Sequence, residues 1–141
     1  MNKLRLAQQI AETEDVSTPP DSVVLYSISY LPTDKNKQDA LKFVAEHKGC
    51  YMLDDTVCGK KLTNLGLETN KDNPEAELMK IWAVASRRFI AAASGNITAF
   101  VDNADKRSTF VSVELPLILQ NNKLKLINGI DKFLFAEQFI K

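Results

Sequence analysis

Short apolar, β-favouring runs alternate along this chain with longer stretches whose apolar residues recur at helical spacing, and this alternation limits the fold more than any other feature. The runs that predict strands lie at residues 23–26, 50–53, 96–101 and 123–127. Strands that alternate with helices form mostly parallel sheets with helices on both faces. The sequence therefore predicts an α/β fold in which a small, mostly parallel four-stranded sheet is flanked by helices.

The predicted helices have recognisable beginnings. The helix between the first two strands begins with Thr33 or Asp34 as its N-cap. A polar loop at 64–73 leads to a long helix that begins at Asn73-Pro74-Glu75, where a cap residue is followed by proline and an acid. A final helix is predicted from about Asp131, after the last strand.

A further helix is predicted before the sheet. Apolar residues recur among polar ones at 2–14, which indicates an amphipathic helix, and Pro19-Pro20 marks a boundary after it. We therefore expect residues 1–20 to form an N-terminal helix and linker, and residues 21–141 to form the α/β domain. A chain of 141 residues is long enough for one such domain.

The balance of charge argues against a nucleic-acid partner. The chain has 18 basic and 18 acidic side chains, so it lacks the long-range positive field that attracts DNA or RNA. No apolar run approaches the roughly 20 residues of a membrane-spanning helix, and the first residues lack the apolar core of a signal peptide, so we expect no membrane anchor. Cys50 and Cys58, the only cysteines, do not make a disulfide framework and suit a reducing cytosol.

Polar residues follow three of the predicted strands. Tyr26-Ser27 ends the first strand, Asp54-Asp55 ends the second, and residues 102–110 follow the third. Ligands of parallel sheets bind beyond the carboxyl ends of the strands. We therefore expect these residues to meet at one edge of the sheet and to form the functional site there.

Three segments carry a resemblance to a known family. They are residues 53–56 (LDDT), 82–89 (WAVASRRF) and 108–114 (STFVSVE), so the only tryptophan opens the second segment and a glutamate closes the third. In order and spacing, roughly residues 23–128 resemble the ADP-ribosyl cyclase and NAD glycohydrolase family, which includes animal ectoenzymes and the C-terminal toxin domains of bacterial delivery proteins. The resemblance implies that NAD is the substrate and that no cofactor or metal is required.

The resemblance implies that four residues are catalytic. Glu114 matches the catalytic glutamate, whose carboxylate faces the positive charge that forms on ribose as nicotinamide leaves. Trp82 matches the aromatic wall beside nicotinamide, although a lone tryptophan on a helix is ordinarily a core residue. Asp54 and Asp55 match acids that contact the carboxamide and influence whether the product is cyclised or hydrolysed, and the family usually has glutamate at the Asp54 position.

The resemblance also implies a set of substrate-binding residues. Tyr26 stands where animal members have a second tryptophan, so it is either the opposite aromatic wall or a core residue at a strand end. Arg87 and Arg88 could add charge beside the pyrophosphate, but adjacent helix residues diverge by about 100°, so at most one of them faces it. Arg87 is the one assigned to the site. The contacts to ribose and phosphate are assigned to Ser27, Ser86, Thr109 and the Phe110 amide.

These roles predict an NAD glycohydrolase that releases nicotinamide and ADP-ribose, with some cyclic ADP-ribose. The resemblance to the toxin branch implies delivery from a larger secreted protein into the cytoplasm of a target cell, where a cognate immunity protein blocks the site; otherwise we expect a cytoplasmic protein. Two alternatives stay open. A mono-ADP-ribosyltransferase usually has Glu or Gln at the position of Ser112, two residues before the catalytic glutamate, and a non-catalytic nucleotide-binding or interaction module would not turn NAD over.

Overall fold

The structure is a computed structural model and describes residues 3–27, 34–66, 75–104, 108 and 110–139. Its helices are α1 (Lys3–Thr13), α2 (Lys35–Glu46), α3 (Val57–Asn64), α4 (Glu75–Ala92), α5 (Leu115–Gln120) and α6 (Lys132–Ala136). Its strands are β1 (Val24–Tyr26), β2 (Gly95–Phe100), β3 (Leu124–Ile127) and β4 (Ile130–Asp131). Two 3₁₀ turns lie at Leu53–Asp55 and Glu137–Phe139, and a π-helix lies at Phe110–Glu114. Within the described ranges, no helix has both the length and the apolar character that crossing a membrane requires.

The sheet has the strand order β1-β2-β3-β4, and its first three strands are parallel. Ile97 of β2 lies opposite Ile127 of β3, and both side chains are fully buried. Strand β4 pairs antiparallel with β3 through a tight turn at Asn128 and Gly129, whose φ angles are both positive (54° and 75°). A mostly parallel four-stranded sheet with helices around it confirms the predicted fold class.

The predicted strand at residues 50–53 is wrong. Only Tyr51 joins the sheet, through a single parallel bridge to Val23, and a 3₁₀ turn follows. The Asp55 carboxylate accepts a hydrogen bond from the Met52 N–H (2.9 Å), and this local bond competes with strand pairing. The fourth strand of the sheet is instead β4.

Helix α3 follows this turn, although the sequence pattern does not predict it. The Thr56 hydroxyl caps the helix by accepting the Gly59 N–H (3.0 Å) and donating to the Leu53 carbonyl (2.7 Å). Gly59 is required there because a Cβ atom would overlap the Leu53 carbonyl oxygen. Helix α3 therefore packs directly against the turn that carries Asp54.

Helices α1, α2, α4 and α6 lie where the sequence predicts helices. Asp34 directly precedes α2, and the Asp131 carboxylate caps α6 by accepting two backbone N–H groups (3.0 and 3.2 Å). Thr33 and Asn73-Pro74 lie outside the described residues, as does the part of the predicted 64–73 loop beyond residue 66.

Helix α1 packs into the main apolar core. Ile10 and Ala11 of α1 are buried in the same cluster as Phe89 of α4. Arg88 donates to the carbonyls of Ala11 (2.7 Å) and Glu14 (2.8 Å), so it provides partners for carbonyls at the end of α1. The predicted boundary between an N-terminal helix and an α/β domain stays a prediction.

Candidate active site

A cavity of about 360 Å³ opens where β1 ends, between α4, the first 3₁₀ turn and the π-helix. This volume is within the usual range for small-ligand sites. Its walls are formed by residues 24–27, by residues 52–54, by Leu78, Met79, Trp82, Ala83 and Ser86 of α4, and by Phe110 and Glu114 of the π-helix. The cavity lies at the edge of the sheet where the sequence places a functional site.

One face of α4 lines the cavity. Leu78, Trp82 and Ser86 are spaced four residues apart, so their side chains lie along one stripe of the helix. The stripe is about 12 Å long at the rise of an α-helix. Met79, beside Leu78, is 59% exposed, which places the apolar end of the stripe at the open side of the cavity. Trp82 lies between this apolar end and the polar end at Ser86.

Glu114 supplies a buried carboxyl group at the polar end. The residue is 9% exposed, and its Oε2 accepts a hydrogen bond of 2.6 Å from the Ser86 hydroxyl. Burial raises the pKa of this carboxyl to about 7, although the Ser86 hydrogen bond favours the charged form and acts in the opposite direction. Near neutral pH the group is therefore close to its titration point, and a cation bound beside it would favour ionisation.

The π-helix places Glu114 in the cavity wall. π-helical turns are rare and are often found at functional sites. Phe110 and Glu114 at its two ends are buried and line the cavity, whereas Ser112 between them is exposed. Pro116, near the start of α5, has no N–H to donate to an upstream carbonyl, so it interrupts the hydrogen-bond pattern where the two helices meet.

Tyr26 and Asp54 are two further ionisable groups of the cavity. Burial raises the pKa of the Tyr26 hydroxyl, and the charges on Asp54 and Glu114 raise it further. Asp54 is exposed at the rim, yet partial desolvation by the surrounding protein still raises the pKa of its carboxyl. The described lining contains two carboxyl groups and no Lys or Arg, which favours a cationic group of a ligand inside the cavity over an anionic one.

The cavity brings together seven of the ten residues that the sequence assigns to the site. They are Tyr26, Ser27, Asp54, Trp82, Ser86, Phe110 and Glu114. Asp55 does not line the cavity, because its carboxylate is bonded to the Met52 N–H. Arg87 is exposed on α4 and is not part of the lining, and Thr109 lies outside the described residues.

Sequence reasoning does not identify the apolar part of the lining. Leu78 and Met79 lie four and three residues before Trp82, and this helical spacing is the one signal that could have found them. Met52 gives no signal, because its position depends on the turn that replaces the predicted strand. Among the described residues, no three His, Cys, Asp or Glu side chains are grouped closely enough to hold a metal ion.

Solved structures of CD38 and ADP-ribosyl cyclase have the same fold. Porcine CD38 complexed with a covalent intermediate, ribo-F-ribose-5'-phosphate, matches with a TM-score of 0.57 and 22% identity over 89% of this chain and 68% of that chain. ADP-ribosyl cyclase complexed with N1-cIDPR matches with a TM-score of 0.58 and 18% identity over 86% of this chain and 59% of that chain. No family model and no curated protein matches the sequence. This chain spans less than two thirds of the length of the cyclase that it matches.

We expect the buried Glu114 carboxyl to make stability fall with rising pH. In the unfolded chain this group titrates near its ordinary value of 4.5, and in the native state near 7, so between these values the native state binds the extra proton. Glu114→Gln removes the penalty of burying the charge. The unfolding free energy of Glu114→Gln relative to wild type, measured in urea, should therefore rise by about 3 kcal/mol between about pH 4.5 and 8.

A matched control for this measurement is Glu46→Gln. Glu46 is exposed at the end of α2, so its substitution should leave the pH dependence of the unfolding free energy close to that of wild type. An identical pH dependence in wild type and Glu114→Gln would contradict the burial of an ionisable carboxyl at this position.

Proposed function

We propose that this chain is an NAD glycohydrolase, in which the bond between nicotinamide and ribose breaks and water adds to the ribose carbon, so that nicotinamide, ADP-ribose and a proton are released. Cyclic ADP-ribose is a minor product, formed when the adenine of the same molecule takes the place of water. The observation that carries the proposal is the buried Glu114 carboxyl, held by the Ser86 hydroxyl in the same cavity as Trp82. The fold of CD38 and ADP-ribosyl cyclase around this cavity supports it.

The reaction suits a site with one buried carboxylate. As the glycosidic bond breaks, positive charge builds on the ribose, and a fixed negative charge beside it stabilises the transition state. Nicotinamide carries positive charge while it is attached and leaves as a neutral molecule, so it needs no general acid. Glu114 provides the carboxylate, and Ser86 orients it through the 2.6 Å hydrogen bond.

The cavity also suits a cationic aromatic leaving group. Trp82 and Tyr26 supply aromatic rings, and a cation over an indole face gains roughly 0.5–2 kcal/mol. A pyridinium bound near Glu114 favours the ionised carboxylate, so the substrate itself would lower the pKa that burial raises. We assign Asp54, at the rim, to the carboxamide of nicotinamide.

The position of Ser112 favours hydrolysis over mono-ADP-ribosyl transfer. Transferases usually place a second Glu or Gln two residues before the catalytic glutamate to activate the acceptor. Ser112 occupies that position here, and its hydroxyl donates to the Ser108 carbonyl (2.7 Å). It does not line the cavity, so no acid or amide is available at this position to activate an acceptor.

Glu114→Gln should retain the fold and bind NAD, but its turnover rate should fall by a factor of about 10²–10³, because an interaction made in the transition state disappears. Glutamine is nearly isosteric and still hydrogen-bonds, so ground-state binding should survive. Release of nicotinamide measures turnover, calorimetry measures NAD affinity, and a thermal melt on the same preparation measures folding.

The control is again Glu46→Gln, which should cleave NAD at the wild-type rate because Glu46 is exposed on α2, outside the cavity lining. Three results would count against the assignment. The first is a Glu114→Gln activity within about threefold of wild type. The second is transfer of label from ADP-ribose-labelled NAD to protein in place of free ADP-ribose, and the third is no turnover of NAD by the folded wild-type chain.

We further propose that the activity serves as a toxin, delivered by a larger secreted protein into a target cell and blocked by an immunity protein that covers the cavity. The resemblance to the toxin branch motivates this context, since NAD loss harms any cell. Cys50 and Cys58 are unpaired thiols, which suits a reducing cytoplasm.

Expression of the wild-type chain in bacterial cytoplasm should therefore arrest growth and lower cellular NAD, whereas Glu114→Gln, expressed to the same soluble level, should do neither. A partner that binds over the cavity should restore growth. Normal growth with unchanged NAD, despite soluble and active wild-type protein, would argue against the toxin role without affecting the assignment of the reaction.

A further inference from the structure

A buried chain of hydrogen bonds runs from α2 to the π-helix, and among its members only Ser27 has a role assigned above. We call it the Asn36 chain; its members are Asn36, Ser27 and Ser108. All three residues are buried, with 3%, 3% and 6% of their surface exposed. Only Ser27 lines the cavity.

Asn36 joins the ends of two parallel strands. Its Nδ2 group donates both hydrogens, one to the Ser27 carbonyl just after β1 (3.0 Å) and one to the Asp102 carbonyl after β2 (2.9 Å). The Ser27 N–H in turn donates to the Phe100 carbonyl (3.0 Å). Because strand pairing ends at this point, the Asn36 amide provides partners for backbone carbonyls that the sheet no longer satisfies.

The next links reach the helix that carries Glu114. The Ser27 hydroxyl donates to the Ser108 hydroxyl oxygen (2.8 Å), which also accepts the Val111 N–H (3.3 Å). The Ser108 carbonyl accepts the Ser112 N–H (2.9 Å). Ser108 therefore fixes the first turn of the π-helix, whose last residue is Glu114.

We propose that Asn36 is a positioning residue for cleavage of the nicotinamide–ribose bond, acting through Ser27 and Ser108 on the placement of the Glu114 carboxylate. The inference rests on the proposed function, because it assumes that Glu114 serves the reaction. A misplacement of about 1 Å at a reacting group can cost up to 10²-fold in rate. Breaking the Asn36 chain lets the end of β1 and the π-helix shift relative to each other. Ser86 lies on α4 and does not move with them, so the Glu114 carboxylate changes its position in the cavity.

A second, partly buried amide provides a control. Asn121 also donates through Nδ2 to backbone carbonyls, those of Ile90 (2.9 Å) and Ala93 (3.2 Å) and, at a longer distance, that of Ala91 (3.5 Å). It joins the end of α4 to the segment after α5 and does not line the cavity. Its contacts lie beyond Ser86 on α4 and at the end of α5 away from Glu114, and none of them involves Asn36, Ser27 or Ser108. Asn121→Ala should therefore cost stability by the same mechanism as Asn36→Ala while it leaves the Asn36 chain intact.

The experiment compares Asn36→Ala, Asn121→Ala, Ser108→Ala and the double variant Asn36→Ala/Ser108→Ala in kcat and KM for NAD and in thermal melts. We expect kcat to fall about tenfold in Asn36→Ala with KM within about threefold of wild type. Asn121→Ala should keep kcat within about twofold. The fall in kcat in the double variant should be no larger than in the worse of the two single variants, because both substitutions interrupt the same chain of hydrogen bonds. If Asn36→Ala does not fold, Asn36→Ser is used in its place, and the same changes in kcat and KM are expected.

A second readout separates this inference from the proposed function. The NMR signal of the isotopically labelled Glu114 carboxyl carbon, assigned by its loss in Glu114→Gln, reports the position of that group whether or not NAD is cleaved. The signal should move in Asn36→Ala and in Ser108→Ala and stay in place in Asn121→Ala. An unmoved signal, a kcat within about twofold of wild type in folded Asn36→Ala, or additive losses in the double variant would overturn the role of Asn36. Absence of wild-type turnover with a moved signal would overturn the glycohydrolase and leave the positioning of Glu114 intact.

Discussion

The hydrogen bond between the Ser86 hydroxyl and the buried Glu114 carboxyl joins the two segments on which the site depends. Ser86 lies on α4 and Glu114 ends the π-helix, so this contact fixes the polar end of the cavity. Burying an ionisable group costs stability at neutral pH, since water no longer solvates the charge. The chain keeps this carboxyl in a place where burial penalises its charge, which is the expected trade-off at a functional site.

The rest of the fold supports that contact from several sides. Strand β1, which pairs in parallel with β2, contributes residues 24–26 to the cavity wall, and the Asn36 chain extends the connection to the π-helix. On the opposite side, Arg88 binds α1 to α4, the helix that carries Trp82 and Ser86. Gly59 lets α3 approach the turn that places Asp54 at the rim. Each support is a local packing or hydrogen-bonding contact, and together they leave a cavity with the buried Glu114 carboxyl at one end and apolar residues of α4 at the other.

Periodicity and cap residues predict the long helices and the parallel strands, because these depend on local spacing. The strand predicted at 50–53 does not form, because the Met52 N–H bonds to the Asp55 carboxylate and not to a neighbouring strand. The spacing of apolar residues cannot show which of these two partners the N–H will take. The tight turn between β3 and β4 has a clear sequence signal in Asn128-Gly129, a pair that favours the positive φ angles such a turn requires. Seven of the predicted site residues meet in the cavity because the ends of parallel strands lie at one edge of the sheet. The role of Asn36 is not predictable from the sequence, since its hydrogen-bond partners become its neighbours only in the folded chain.

The pH dependence of kcat/KM for NAD cleavage tests most directly whether the buried Glu114 carboxylate drives the reaction. This ratio reports the ionisation of the free enzyme, and only the ionised carboxylate can stabilise the developing cation. Since burial raises the pKa of Glu114 to about 7, kcat/KM should fall as the pH drops below that value, about tenfold per pH unit. The residual activity of Glu114→Gln should show no such step. A wild-type profile that stays flat down to the ordinary carboxyl value of 4.5 would contradict the account.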